Sequence, residues 1–151
     1  NKLTDIQIMK AGLSSNSGSV AFSDDGTDGG KISQRGSVSI QTEKLSDAIS
    51  KPVDYVKLNI EGAELDVLAD LDKTGTFRYI IELCFEWHSF SRSTQNLGEC
   101  LELLKKNNYK YLINHFDYVT NRAVRPPFHL DDATQYYLLV YAKKMDTMDQ
   151  K

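Results

Sequence analysis

Several short stretches alternate apolar and polar residues, the period of a half-buried strand. Ile6-Gln7-Ile8-Met9 predicts a short strand, followed by a turn at Ala11-Gly12-Leu13-Ser14. Val20-Ala21-Phe22 and Ser37-Val38-Ser39-Ile40-Gln41 predict a hairpin with a long intervening loop. Thr42 is placed to cap a short helix carrying Leu45, Ala48 and Ile49. After Pro52, Val53 to Ile60 predicts a strand running inward, and Glu61 opens a helix with Leu65, Leu68 and Leu71 on its apolar face, ending at Gly75. Tyr79 to Phe85 predicts the next strand. Ser93 or Thr94 is placed to cap a helix carrying Leu97, Cys100, Leu101 and Leu104, stopped at Asn107-Asn108. Tyr109 to Ile113 and Tyr136 to Tyr141 predict two final strands, the last apolar enough to lie inside a sheet.

Strands and helices alternate through the middle of the chain, so the expected fold is α/β: a mostly parallel sheet with helices on both faces. The last two strands lack an intervening helix and are expected to form an antiparallel pair at one edge. All 151 residues are expected to form one domain, with a flexible Ser/Gly/Asp loop over 14–36 holding a short strand, and a polar tail over 143–151.

Composition narrows the function classes. Hydrophobic residues make up 40%, enough for one core, and the formal net charge of −3 with scattered basic residues argues against nucleic acid as a partner. No run is apolar and long enough to span a bilayer. Cys84 and Cys100 form neither a disulfide framework nor a zinc site by themselves, so two reduced, buried thiols are expected; the compartment stays open, with the cytoplasm favoured. The chain starts at Asn1 without an initiator methionine, which suggests a trimmed or processed chain.

In an open α/β sheet, ligands bind at the carboxyl ends of the strands. The junction Leu58-Asn59-Ile60-Glu61-Gly62-Ala63-Glu64 is such an end. Asn59 and Glu61 place polar groups there, and Gly62 lets a ligand or a neighbouring backbone come close. Glu61 and Glu64 also suit the start of a helix, where carboxylates are favoured by about 0.3–1 kcal/mol each without any function.

The string Val53-Asp54-Tyr55-Val56-Lys57-Leu58-Asn59-Ile60-Glu61-Gly62-Ala63-Glu64 resembles the signature of FkbM-type methyltransferases. So does the order around it: Ala11 to Ser14, Val20 to Phe22, the Asp/Gly loop, the Thr42 to Ile49 helix, and Phe85-Glu86-Trp87-His88 at the end of the next strand. The resemblance implies a Rossmann-like domain using S-adenosylmethionine to methylate a hydroxyl oxygen of a small molecule or sugar. It places Asn59 and Glu61, at the end of a central strand, beside the methionine part of the cofactor, and Ala11, Gly12 and Leu13 near its adenine. Asn59 stands where the family carries aspartate. The family's glycine-rich turn and ribose-binding acid precede the point where this chain begins, which implies truncation at the N-terminus. The strand from Val53 would then expose an unpaired edge, that from Ile6 would dock irregularly, and the isolated chain would bind cofactor weakly and self-associate. A non-catalytic, methyltransferase-like binding or structural domain is the alternative reading.

Glu86 and His88 share a strand face with Ile80, Glu82 and Cys84. With the strand ending near Phe85, both project into the cleft, where a Glu–His pair supplies a general base for a substrate hydroxyl. No third residue completes a metal site, so no metal is expected. His115, His129, Arg122 and Arg125 are weaker candidates, and the tyrosines at 109, 111, 136, 137 and 141 are expected to pack.

Overall fold

The computed structural model describes residues 5–23, 26, 31–32, 36–90, 96–115, 127, 131–132 and 134–145. The fold is mixed α/β with two four-stranded sheets. The first contains β1 (Gly12–Leu13), β2 (Gly18–Ser23), β3 (Lys31–Ile32) and β4 (Val38–Glu43), in the order β1-β4-β2-β3. The expected hairpin is present: β2 pairs antiparallel with β4, setting Val20 opposite Ile40 and Phe22 opposite Val38. Within 14–36 the chain therefore carries β2 and β3 as well as irregular segments.

Residues 6–10 form no strand, contrary to the alternation of Ile6 to Met9, and Ile8 is 80% exposed. Thr42 does not cap a helix. It lies buried at the end of β4, and its hydroxyl donates to the carbonyls of Asn16 and Gly18. The short helix α1 (Leu45–Ala48) starts after Lys44 without a side-chain cap.

The second sheet contains β5 (Val53–Leu58), β6 (Ile80–Ser89), β7 (Tyr109–His115) and β8 (Tyr136–Lys144), in the order β5-β6-β8-β7. Helix α2 (Glu64–Thr74) links β5 to β6, giving a parallel pair. Gly75 ends α2 in the left-handed conformation at φ 71°, its N–H bonded to the Leu71 and Asp72 carbonyls. Helix α3 (Leu97–Lys106) precedes β7; its N-cap is Asn96, while Ser93 and Thr94 lie outside the described residues.

The sheets are mixed, not mostly parallel. The last strand returns between β6 and β7 and runs antiparallel to both, and in the first sheet β2 is antiparallel to β3 and β4. The expected antiparallel edge pair is β7 with β8, and β8 is interior as its apolar run predicts. Lys143 and Lys144, assigned to the polar tail by composition, belong to β8. β5 is an outer strand among the described residues, so Asn59 stands at the end of an edge strand, not a central one; the unpaired edge expected of this strand is present.

Helices on both faces are not found among the described residues. Leu83, Phe85 and Trp87 of β6 form one core with Leu68 and Leu71 of α2 and Cys100 and Leu104 of α3. The opposite row, Glu82, Cys84, Glu86 and His88, carries polar groups instead. Glu82 pairs with Lys143 and Glu86 with Lys57, and the neighbouring Tyr55 and Tyr141 are exposed. Such a face buries little apolar area, which is why the helices gather on the other. At the far end Tyr109 is buried, its hydroxyl donating to the Phe77 and Ile80 carbonyls, with its ring edge-on to Phe77 at 5.6 Å. Lys44 and Ser46, flanking and within α1, hold Asp70 of α2, which ties the first sheet to the core.

Candidate active site

The site forms where β5 runs out. Leu58 lies opposite Phe85, so the three residues that follow Leu58 come level with the last turns of β6 up to His88. The chain bends sharply there: Glu61 adopts φ 51° and Gly62 φ 100°. For Glu61 this is a strained backbone, of the kind found at ligand-binding turns. At Gly62 a Cβ would stand 2.7 Å from Cε2 of Phe90. The glycine is therefore required twice, by conformation and by contact.

Glu64, the first residue of α2, holds this bend. Its side chain is 2% exposed and turns back on the loop. The Ile60 N–H donates to Oε1 at 3.2 Å and the Gly62 N–H to Oε2 at 3.0 Å. Burial pushes its carboxyl above the usual value, while the N–H bonds and nearby His88 pull in the other direction.

His88 sits between two carboxylates. Nε2 is 3.6 Å from Oε2 of Glu61, and Nδ1 is 3.9 Å from Oε1 of Glu64. Nδ1 lies 3.1 Å from the Glu86 carbonyl oxygen. A carbonyl only accepts, so the Nδ1 side of the ring donates to it, and Nε2 is the nitrogen that faces Glu61. Phe90 stacks on the ring at 5.5 Å and 9°, and Tyr137 lies tilted at 5.9 Å.

The expected Glu–His pair takes a different form. β6 continues to Ser89, so Glu86 lies within the strand and its carboxylate binds Lys57 at 2.7 Å. Glu61, assigned from sequence to the cofactor side, is the carboxylate that faces His88 at Nε2. Ser14, Ile60, Glu61, Gly62, Ala63 and Asp66 line a cavity of ≈ 250 Å³ beside this cluster. The strand carrying Gly12 and Leu13 runs to its wall. β1 is fixed by pairing Gly12 with Thr42 and Leu13 with Glu43, and the Ser14 N–H donates to the Glu43 carbonyl. Of the two distant segments, Ala11–Ser14 and Asn59–Glu64, Ser14 of the first and Ile60 to Ala63 of the second come to one cavity. Ala11, Gly12, Leu13 and Asn59 are not among the lining residues, and Asn59 is exposed. His115 is the last residue of β7, and Arg122, Arg125 and His129 lie outside the described residues. Glu64, Ser14 and Asp66 are site residues that sequence reasoning passed over. The signal for Glu64 was its place closing the Glu-Gly-Ala-Glu string, where helix-start electrostatics already accounted for an acid. No group of three metal-ligating side chains gathers among the described residues.

A model of the methyltransferase FkbM domain matches residues 3–111, well over half the chain. The chain belongs to the FkbM methyltransferase family. The match extends past the signature through α3 into β7, so the whole β5–α2–β6 unit that builds the site is family structure. Comparison with curated proteins and with solved structures finds no match. As an FkbM-family domain, the chain is a methyltransferase domain, and no helix among the described residues is long and apolar enough to cross a membrane.

Proposed function

We propose that this domain transfers a methyl group from S-adenosylmethionine to a hydroxyl oxygen of a small molecule or sugar, with His88 as the general base. The observation that carries the reading is the placement of His88, whose Nδ1 meets the Glu86 carbonyl and whose Nε2 stands at the loop after β5 with Glu61 beside it. The residues present suit a cationic cofactor. Glu61 and Asp66 place carboxylates in the cavity wall, and Ser14 adds a hydroxyl. At ≈ 250 Å³ the cavity is below the roughly 300–1,000 Å³ of whole small-molecule sites, so it takes part of such a molecule. Glu61, Asp66 and Ser14 would hold that part, with Ala11 to Leu13 and Asn59 flanking it. When bound, S-adenosylmethionine supplies an electrophilic methyl group on a positively charged sulfur.

The chain's own residues do the remaining work. Nε2 of His88 would take the proton of the acceptor hydroxyl; the methyl carbon gained by that oxygen would be released from sulfur, which would keep the electron pair of the broken carbon–sulfur bond and lose its positive charge. The positive charge arriving on the imidazole is met by the Glu61 carboxylate on the Nε2 side and by Glu64 on the Nδ1 side. Glu86 holds the ring through its backbone carbonyl, while its carboxylate stays with Lys57. Phe90 and Tyr137 limit water around the ring. A Rossmann-like arrangement is the frame for this reading. The two free, buried cysteines support a reducing cytoplasmic setting, and the unpaired edge of β5 with exposed Tyr55 supports self-association.

Asn59 favours a second reading, a domain that binds without turnover, because an amide offers the cofactor no negative charge. Incubation with methyl-labelled S-adenosylmethionine and a panel of sugar and small-molecule hydroxyls separates the two. Label in a methyl ether supports transfer. Binding of the cofactor with no labelled product across the panel supports the second reading.

A further inference from the structure

Glu64 is a buried carboxylate turned back toward the site. It takes one N–H from Ile60, another from Gly62, and lies 3.9 Å from Nδ1 of His88. Its helix-start position does not require this arrangement. An acid at the first position of a helix stabilises equally well from solvent, without the cost of burial. The side chain instead bridges the two ends of the Ile60–Gly62 bend, on either side of Glu61. Glu61 sits there at φ 51°, a conformation that costs energy and persists only when its surroundings enforce it. Both oxygens of the carboxylate are engaged, one per N–H, so neither an amide nor a shorter acid reproduces the clamp. An amide presents N–H to N–H at one end, and an aspartate reaches less far by one methylene.

We propose that Glu64 is a positioning residue for the methyl-transfer site: its carboxylate clamps the Ile60–Gly62 bend and thereby sets the Glu61 carboxylate against Nε2 of His88. This deepens the reading of His88 as the base and rests on it for the catalytic consequence. The clamp has its own readouts. It protects two amide hydrogens, and it fixes which side of the imidazole ring meets Glu61. A carboxylate that merely favoured the helix start would be replaced in full by aspartate.

The experiment compares the full chain with its Glu64→Gln and Glu64→Asp variants by amide hydrogen exchange, by ¹⁵N chemical shifts of the His88 ring, and by turnover with methyl-labelled S-adenosylmethionine. In both variants the Ile60 and Gly62 amides should exchange at least about tenfold faster, with the β6 and β8 amides unchanged. The His88 ring should shift from the Nδ1–H form toward a mixture of tautomers. Turnover number should fall about tenfold or more, and KM for S-adenosylmethionine should rise by a smaller factor, because Ser14 and Asp66 of the cavity wall lie outside the bend. Full retention of exchange protection and ring tautomer in Glu64→Asp would overturn the proposal and leave a helix-start role. Loss of protection with unchanged turnover would overturn the positioning role while leaving the clamp. If the unsubstituted chain transfers no methyl group, the methyl-transfer reading fails; unchanged exchange and ring shifts in the variants would still overturn the clamp by themselves.

Discussion

Replacing Gly62 by alanine tests the bend from a direction independent of Glu64. The new Cβ faces two separate penalties. The first is conformational: at φ 100° an L-residue with a side chain is strained, by about 1–2 kcal/mol on the scale of left-handed backbone. The second is steric. The Cβ would meet Phe90 Cε2 at 2.7 Å, about 0.7 Å short of the 3.4 Å at which ordinary contact begins. Relieving that overlap moves an aromatic ring that is stacked on His88, an overpacking cost of about 1–3 kcal/mol. Gly62→Ala should therefore destabilise the fold by roughly 2–5 kcal/mol. In a Phe90→Ala background only the conformational part remains, about 1–2 kcal/mol, so the two substitutions should be non-additive. Urea denaturation of the four proteins of this cycle gives both numbers, provided the m-values agree. A Gly62→Ala cost below about 0.5 kcal/mol would show that the bend does not have the left-handed form. An equal cost in both backgrounds would show that Phe90 does not pack against it.

Three further outcomes follow from elements outside the bend. Tyr109→Phe removes the hydroxyl that donates to the Phe77 and Ile80 carbonyls in a buried setting, and should cost roughly 1–3 kcal/mol in urea denaturation; a change within about 0.3 kcal/mol would contradict that bond's role. Burial pushes the Cys100 thiol from 9.0 up to about 12, so near pH 8 its thiolate should be about a thousandfold scarcer than in the unfolded chain, and an alkylating reagent should label it only after denaturation; rapid labelling of the folded chain would contradict the packing of α3. Lys106 and Asn107 hold the Asp72 carboxyl below 3.8, so its contribution is present above that value and is lost as pH falls through the lower folded value; Asp72→Asn should flatten the acid-side fall of the urea midpoint, and an unchanged acid slope would contradict the pairing.

What could be read from the sequence divides along the range of the interactions. The β2–β4 hairpin, the close of α2 at Gly75 and the stop of α3 at Asn107 rest on signals within a few residues, and each stands where its signal lies. The strand expected over Ile6 to Met9 fails because alternation states which side a strand would bury, not whether a neighbour is there to pair with it. Thr42 has the chemistry of a helix cap, but a fold in which β1 and β2 flank β4 offers its hydroxyl the carbonyls of Asn16 and Gly18 instead. The return of β8 between β6 and β7 is a choice among registers distant in sequence, invisible to any window of local pattern. The same distinction governs the site. Motif order singled out His88, Glu61 and Gly62, but nothing local pairs residue 61 with residue 88. That pairing follows from the parallel register that sets Leu58 against Phe85. Glu86 was nearer in sequence and on the same strand face, and Lys57 takes its carboxylate for the same reason of register.

The most direct test of the account is His88→Ala, measured for turnover and for cofactor binding in the same preparation. Loss of the base should lower the turnover number by about 10²–10⁴-fold. The dissociation constant for S-adenosylmethionine, read by calorimetric titration, should stay within about threefold, because His88 does not line the cavity formed by Ser14, Glu61 and Asp66. Glu86→Gln, measured alongside, should keep most of the turnover, since the carbonyl that holds the ring is untouched. Equal losses of binding and turnover in His88→Ala, or turnover that survives the substitution, would contradict the assignment of His88 as the base.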